Sequence, residues 1–240
     1  MVPDWRFDLM GLSHSPRIVT DGLVLCLDAA NKRSYPGAGT TWTDLTANKK
    51  TGTLTNMDGS NFTNQNAGLL SFDGTNEYVL GSSNLGLSGD PDFSIAYWGY
   101  WNDTSFISSN YPSGFGNNST GTSNGLSTTW RAGRIAIDYW NNRFRASSAL
   151  TVKTWFYVAF TKVSGLNNAT NTKLYVNGDN VSGATENGTA VNITDSSFVV
   201  GRLDATRWFK GYVNCISVYN RVLTPNEIKK NYNATKGRFQ

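Results

Sequence analysis

Between Trp155 and Lys162 the chain reads Trp-Phe-Tyr-Val-Ala-Phe-Thr-Lys. In an extended segment Trp155, Tyr157, Ala159 and Thr161 fall on one face, and Phe156, Val158 and Phe160 fall on the other. Both faces are largely apolar, so this strand belongs deep inside packed layers rather than at a solvated sheet surface. The same reading finds short strands from Leu23 to Leu27, Leu69 to Phe72, Tyr78 to Leu80, Phe93 to Tyr100, Arg134 to Tyr139, Phe198 to Gly201 and Tyr212 to Tyr219. Gly, Asn, Ser and Thr dominate the connections. That punctuation, with no alternation of strand and helix patterns, predicts an antiparallel all-β sandwich or barrel and argues against a parallel sheet.

Two turns carry hairpin signals. Asn177-Gly178 lies between Leu174-Tyr175-Val176 and Val181, and Asn-Gly readily takes the two positive-φ positions of a type I′ turn. Asp73-Gly74-Thr75-Asn76, between Phe72 and Tyr78, reads as a second hairpin. One helix is predicted near the C-terminal end. Thr224-Pro225-Asn226-Glu227 places a cap, a proline at the first helical position and a glutamate at the third, so that Thr and Glu satisfy each other's backbone donors. Leu223 and Ile228 can form a hydrophobic staple. Lys229, Lys230 and Lys236 suit the negative end of the helix dipole, and Gly237 suits its termination. This helix is expected to dock on the sandwich as a closing element.

Several blocks then carry a family resemblance. They are Asp21-Gly-Leu-Val-Leu-Cys-Leu-Asp-Ala-Ala-Asn, Ser34-Tyr-Pro-Gly with Thr41-Trp-Thr-Asp-Leu, Ser71-Phe-Asp-Gly-Thr-Asn-Glu-Tyr-Val, Phe93-Ser-Ile, Leu174-Tyr-Val-Asn-Gly, and Tyr219-Asn-Arg-Val-Leu-Thr-Pro-Asn-Glu-Ile. On these, from about Ile18 to Phe239, the chain resembles the concanavalin A-like, laminin G-like jelly-roll superfamily. The resemblance implies a two-sheet antiparallel jelly-roll sandwich with a short C-terminal helix. The nearest versions are single domains encoded by large phages, a likeness resting on the Asp21 to Asn31 block and the Asn231-Tyr-Asn-Ala-Thr-Lys-Gly-Arg-Phe ending. It implies a setting, at the virion surface among capsid proteins or neighbouring subunits, rather than a mechanism. The expected organisation is an anchoring arm over residues 1–17 and one domain over 18–240.

Composition fits one such domain: in 240 residues, 39% are hydrophobic and 13% aromatic, enough for a sandwich core. The net charge of +4 is small and mostly scattered, so nucleic acid is not an expected partner. The exception is Arg131, Arg134, Arg143 and Arg145 around a predicted strand pair. They read as a solvated face that Asp138 can pair with, or as a basic surface able to grip phosphate, sulfate or a carboxylate. The start, Met1-Val-Pro-Asp-Trp-Arg-Phe-Asp, carries charges where a signal peptide needs an apolar core. No apolar run is long enough to span a bilayer, and membrane insertion is not expected. The resemblance also implies that the first and last strands lie near each other. A Cys26–Cys215 bridge is therefore conceivable, although free thiols acting as small hydrophobes fit two cysteines in so long a chain better. No histidine cluster or Cys-x-x-Cys exists for zinc.

Catalysis is not expected. The one histidine, His14, lies in the arm, which excludes a Ser-His-Asp or Cys-His arrangement inside the domain. Glycoside hydrolysis needs two carboxyl groups flanking a sugar. Related glucanases carry Glu-x-Asp-x-x-Glu, and Glu77, Glu186 and Glu227, the only glutamates, form no such pattern. Glu186 reads as a loop residue.

Glycan binding is the expectation that the superfamily supplies. Trp98, Tyr100, Tyr111, Trp140 and Trp208 are the candidate stacking rings, weighed against the several tryptophans any such sandwich buries. The long Asn102 to Thr129 stretch is the candidate site loop. No cofactor is required, but calcium is the usual companion of this fold. Asp73 and Asn76 are its candidate ligands, with Asp44 near Asn48 as another oxygen source. The arm carries apolar anchors, Trp5, Phe7, Leu9, Met10 and Leu12, to dock on an assembly or fold back on its own sandwich. The expected function is a non-enzymatic phage virion surface protein decorating the capsid, anchored by its arm and binding host or environmental glycans. The alternative is a carbohydrate-binding adhesin of a tail fibre.

Overall fold

The computed structural model describes residues 17–102, 111–119, 121 and 123–239, with the backbone alone at 111–114. In chain order the first strands are β1 (Leu23–Asp28), β2 (Thr41–Trp42), β3 (Gly52–Thr55), β4 (Phe62–Thr63), β5 (Leu69–Asp73), β6 (Tyr78–Asn84) and β7 (Phe93–Trp101). Next come β8 (Tyr111–Asn117), β9 (Ser127–Arg131), β10 (Arg134–Asp138), β11 (Arg143–Ala146), β12 (Trp155–Lys162), β13 (Thr172–Val176) and β14 (Asp179–Asn180). The last are β15 (Ser182–Glu186), β16 (Ser197–Val200), β17 (Arg202–Asp204), β18 (Arg207–Trp208) and β19 (Lys210–Tyr219), followed by helix α1 (Pro225–Thr235).

These strands form two large antiparallel sheets and a separate β17–β18 hairpin. Sheet A runs β14, β13, β12, β7, β19, β5, β4, with β1 also paired to β19. Sheet B runs β15, β11, β10, β9, β8, β16, β6, β3, β2. The first and last strands are indeed neighbours, with Cys26 opposite Ser217 and Cys215 opposite Asp28. Both cysteines are free thiols. Burial pushes the Cys26 thiol up to about 12 and the Cys215 thiol up as well.

Alternation decides what each face does. Along β7, Phe93, Ile95, Tyr97 and Trp101 enter the core between the sheets, as do Phe156, Val158 and Phe160 of β12. Sheet B answers with Trp130, Ile135, Ile137, Phe144, Phe198 and Val200. The opposite residues of β7 and β12, Ala96, Trp98, Tyr157 and Ala159, form a second cluster with Leu223 and Ile228. The doubly apolar strand is thus explained by a third layer, in which the C-terminal helix seals the outer face of sheet A. Its start is the predicted one. Thr224 Oγ1 accepts from the Glu227 amide and the Glu227 carboxylate accepts from the Thr224 amide, while Leu223 and Ile228 are buried.

Five local expectations are corrected. Asn177 and Gly178 do form the β13–β14 turn, at φ 54° and 83°. The Asp73–Asn76 turn, however, joins strands of different sheets, β5 of sheet A and β6 of sheet B. Asp73 Oδ1 accepts from the Thr75 amide and Glu77 accepts from the Asp73 amide, which shapes a corner rather than a hairpin. The Asn102 to Thr129 stretch contains β8 and the start of β9, and Glu186 ends β15 rather than lying in a loop. Gly237 falls inside a 3-10 turn over Lys236–Arg238 rather than ending α1, and Lys229 reaches Asp179 and the Asn177 carbonyl instead of the helix end. The arm residues Trp5, Phe7, Leu9, Met10 and Leu12, and His14, lie outside the described residues.

Candidate functional site

The structure divides four of the five candidate rings between opposite outer faces of the sandwich. Trp98 and Tyr100 project from sheet A. Trp98 is only 3% exposed, stacks on Phe239 at 4.1 Å and Tyr232 at 5.8 Å, and donates Nε1–H to Thr235 Oγ1. Helix α1 and the residues after it cover both its faces, so Trp98 belongs to packing and leaves no face for a sugar. Tyr100 is half-buried against Trp155 and Tyr212, at 5.4 and 5.7 Å. Tyr111 lies in β8, with its ring outside the described atoms.

Trp140 and Trp208 stand instead on the outer side of sheet B. Asp138 ends β10 with its side chain outward, Tyr139 turns into the core, and Trp140 leaves the strand at φ 56°. The β17–β18 hairpin folds over β8 from the other side. Between them lies a cavity of about 140 Å³ lined by Ser127, Asp138, Trp140, Asn141, Arg143, Leu203 and Arg207. Arg207 places its guanidinium 4.9 Å from the centre of the Trp140 ring, a cation–π geometry, and is itself held by Asp204. Burial pushes the Asp204 carboxyl up, but Arg207 and Thr206 together outweigh it and hold the group at about 2. Beyond the hairpin, Arg202 lies 3.7 Å over the Tyr78 ring, and Trp208 packs on Tyr78 at 6.0 Å.

The arginines singled out in the sequence share this face, because β9, β10 and β11 are consecutive antiparallel neighbours. Arg143 lies opposite Asp138, Arg145 opposite Ala136, and Arg131 opposite Arg134. Arg143 is nearly buried and donates Nε–H to Asp138 while its Nη1 reaches Glu186 at 3.3 Å. Arg145 and Arg131 also reach Glu186, at 2.7 and 3.5 Å. Burial raises the Asp138 carboxyl above its ordinary range, with Arg143 pulling the other way. Sequence reasoning missed Asp138 as a site residue, along with Arg207, Asp204, Arg202 and Glu186. The legible signal was the i, i+2 spacing of Arg143 and Arg145. What brought Arg207 to them is the return of the β17–β18 hairpin, which no local pattern encodes.

The calcium candidates do not converge. Asp73 Oδ1 is taken by the Thr75 amide, and Asn76 offers its backbone carbonyl to Asn56. Asp44 is fully buried, and its two oxygens accept from the Cys26, Thr46 and Lys50 amides and from the Thr46 hydroxyl. Among the described residues no group of three or more His, Cys, Asp or Glu side chains is placed to hold a metal ion. Calcium takes six to eight oxygens, and these donors do not fit it. No helix among the described residues is long and apolar enough to cross a membrane.

A two-sheet antiparallel jelly roll, closed by a C-terminal helix and carrying an aromatic and arginine-rich outer face, defines the class. Residues 72–229 match the family model described as the concanavalin A-like lectin/glucanases superfamily, and the chain belongs to that family. No curated protein matches the sequence. Among solved structures, the chain is similar to domain 4 of an extracellular arabinanase from Geobacillus stearothermophilus in complex with arabinotriose. The TM-score is 0.62 at 16% identity, covering 88% of this chain and 98% of that one. It is also similar to the Trypanosoma rangeli sialidase (TM-score 0.61, 14% identity, 92% of this chain and 34% of that one). The binding domain of botulinum neurotoxin serotype G is a third (0.59, 13%, 88% and 50%). The chain therefore spans the whole of the arabinanase domain, about a third of the sialidase and half of the toxin domain. At such identities the likeness establishes the fold.

Proposed function

We propose that this is a non-enzymatic saccharide-binding surface protein that holds its ligand on the outer face of sheet B. The observation that carries the reading is Trp140 lining one cavity with Asp138, Arg143 and Arg207. A flat ring beside fixed donors and acceptors is what sugar recognition requires, since a sugar offers apolar ring faces and hydroxyl edges together. The family, which takes in lectins, and a structural neighbour captured with arabinotriose support it. The non-enzymatic part rests on the carboxylates of this face. Asp138 and Glu186 are both tied to Arg143, and Glu186 to Arg145 as well, which leaves neither as an unengaged acid or nucleophile.

The test is isothermal calorimetry of the full chain against a panel of neutral and acidic oligosaccharides, with Trp140→Ala alongside. Binding by the native chain that Trp140→Ala weakens, with Tm falling by no more than about 4 °C, is the expected result; no binding across the panel overturns the reading. The setting we propose is a phage virion surface, where a capsid decoration would present such a face. Its support is the Asp21 to Asn31 block and the C-terminal ending. Immunogold labelling of source virions tests it. Label over the head supports decoration, label at the tail tip favours the adhesin, and bare particles reject both.

A further inference from the structure

The outer face of sheet B has an unbalanced charge. Six arginines stand on this face: Arg131, Arg134, Arg143 and Arg145 along β9, β10 and β11, Arg207 at the Trp140 cavity, and Arg202 beyond it over Tyr78. Among the described residues, the carboxylates engaged with them are three: Asp138, Glu186 and Asp204. Among the described residues, arginines thus outnumber their carboxylate partners six to three on one face of a chain whose entire net charge is +4. The surplus is concentrated at one end. Arg131 and Arg134 are directly opposed across the β9–β10 pair, an arrangement that like charges make destabilising. Arg134 forms no ion pair with a described residue, whereas Arg131, Arg143 and Arg145 converge on the single carboxylate of Glu186. Between the two ends, Arg134 to Asp138 covers about 14 Å of strand at ~3.4 Å per residue. The cavity itself, at about 140 Å³, is smaller than the ~300 Å³ at which drug-sized pockets begin, so it admits one unit while the rest of a ligand lies along the arginine row.

Resting on the saccharide-binding reading above, we propose that the ligand is an acidic saccharide whose carboxylates lie on this row, with a sugar ring at Trp140 and a carboxylate between Arg131 and Arg134. Guanidinium groups present paired N–H donors in a planar fork that matches a carboxylate, and an anion placed there relieves the Arg131–Arg134 repulsion. That repulsion is then a feature of an unliganded binding site, and it makes an unusual forecast: removing Arg134 weakens binding without weakening the fold.

The experiment titrates the full chain calorimetrically with two matched pairs, oligogalacturonate against its methyl ester and sialyllactose against lactose, and with dextran sulfate as a sulfated polyanion. Wild type and Arg134→Ala are compared, with Tm measured for each. We expect at least one acidic member to bind roughly tenfold or more tighter than its neutral partner, in line with the worth of a charged hydrogen bond. Arg134→Ala should lose about that factor for the acid alone, at a Tm equal to or above wild type. Equal affinity within both pairs would overturn the carboxylate assignment while leaving saccharide binding intact. Failure of every sugar, neutral and acidic, would remove the parent reading instead. Dextran sulfate binding as tightly as the best acid, and insensitive to Arg134→Ala, would reduce the face to a nonspecific polyanion surface and also overturn the proposal.

Discussion

Truncating Trp98 to alanine separates a packing tryptophan from a binding one. Its indole is 3% exposed and sits among Phe239, Tyr232 and Tyr157, with Nε1 bonded to Thr235 Oγ1 at 2.7 Å. A tryptophan buries roughly 150–250 Å², which at about 25 cal/mol per Å² corresponds to ~4–6 kcal/mol. Partial burial in the unfolded chain lowers that figure, and measured large-to-small core truncations cluster at ~3–5 kcal/mol, so about 4 kcal/mol is the expected loss. For a domain of this size each kcal/mol moves Tm by about 2–4 °C, giving a fall of roughly 8–16 °C. Because Trp98 is the centre of the contact with α1, the helix should be the first element to lose amide protection. The assay is thermal melting by circular dichroism together with hydrogen exchange, and sugar titration at a temperature where the variant is still folded. Trp140→Ala is the counterpart. Its half-buried ring contributes chiefly the Arg207 contact, worth ~0.5–1 kcal/mol, so Tm should fall by no more than about 4 °C. A Trp98→Ala variant that melts like wild type but no longer binds sugar would refute the packing argument.

Three further outcomes are expected. Lys162 is completely buried and donates to Asp90 Oδ1 at 2.8 Å and to the Val163 and Gly165 carbonyls, so Asp90→Asn should cost about 3–5 kcal/mol in chemical denaturation. The double variant with Lys162→Met should lose less than the two singles combined. Glu227, hydrogen-bonded by Arg221 and capping Thr224, is held down at about 2 from an ordinary 4.5. Its contribution, about 1 kcal/mol for a cap and surface pair, is therefore present above pH ~4.5 and lost as pH falls toward 2, and Glu227→Gln should flatten that acid limb of the stability curve. Finally, burial holds both thiols well above neutrality, so Cys26 and Cys215 should resist a thiol reagent at pH 8 until denaturant is added, and prompt labelling of the native chain would contradict their placement.

Much of the architecture was written in local patterns. Alternation located β7, β10, β12 and β19, Asn177-Gly178 specified its hairpin through the positive φ both residues accept, and Thr224 to Glu227 announced the helix start. These are short-range properties, decided by side-chain period, turn chemistry and capping within a few residues. The Asp73–Asn76 turn marks where such reasoning stops. Its residues dictate a tight reversal of backbone, but whether the next strand returns to the same sheet or crosses to the other depends on which sheet has a vacant edge, and β6 pairs with β3 and β16. The candidate rings divide in the same way. Trp98 and Trp140 are equally aromatic in sequence, yet one is covered by a helix more than a hundred residues later and the other stands beside a hairpin returning from residues 202–208.

The sequence by itself determined an antiparallel sandwich, its closing helix and the absence of any histidine after His14, because period, capping and composition are local quantities. The tertiary structure alone decided that six arginines, Trp140 and three carboxylates meet on one outer face. That meeting depends on strand register and on a hairpin folded back over β8, and burial and electrostatic neighbourhood are properties of the assembled layers rather than of any segment.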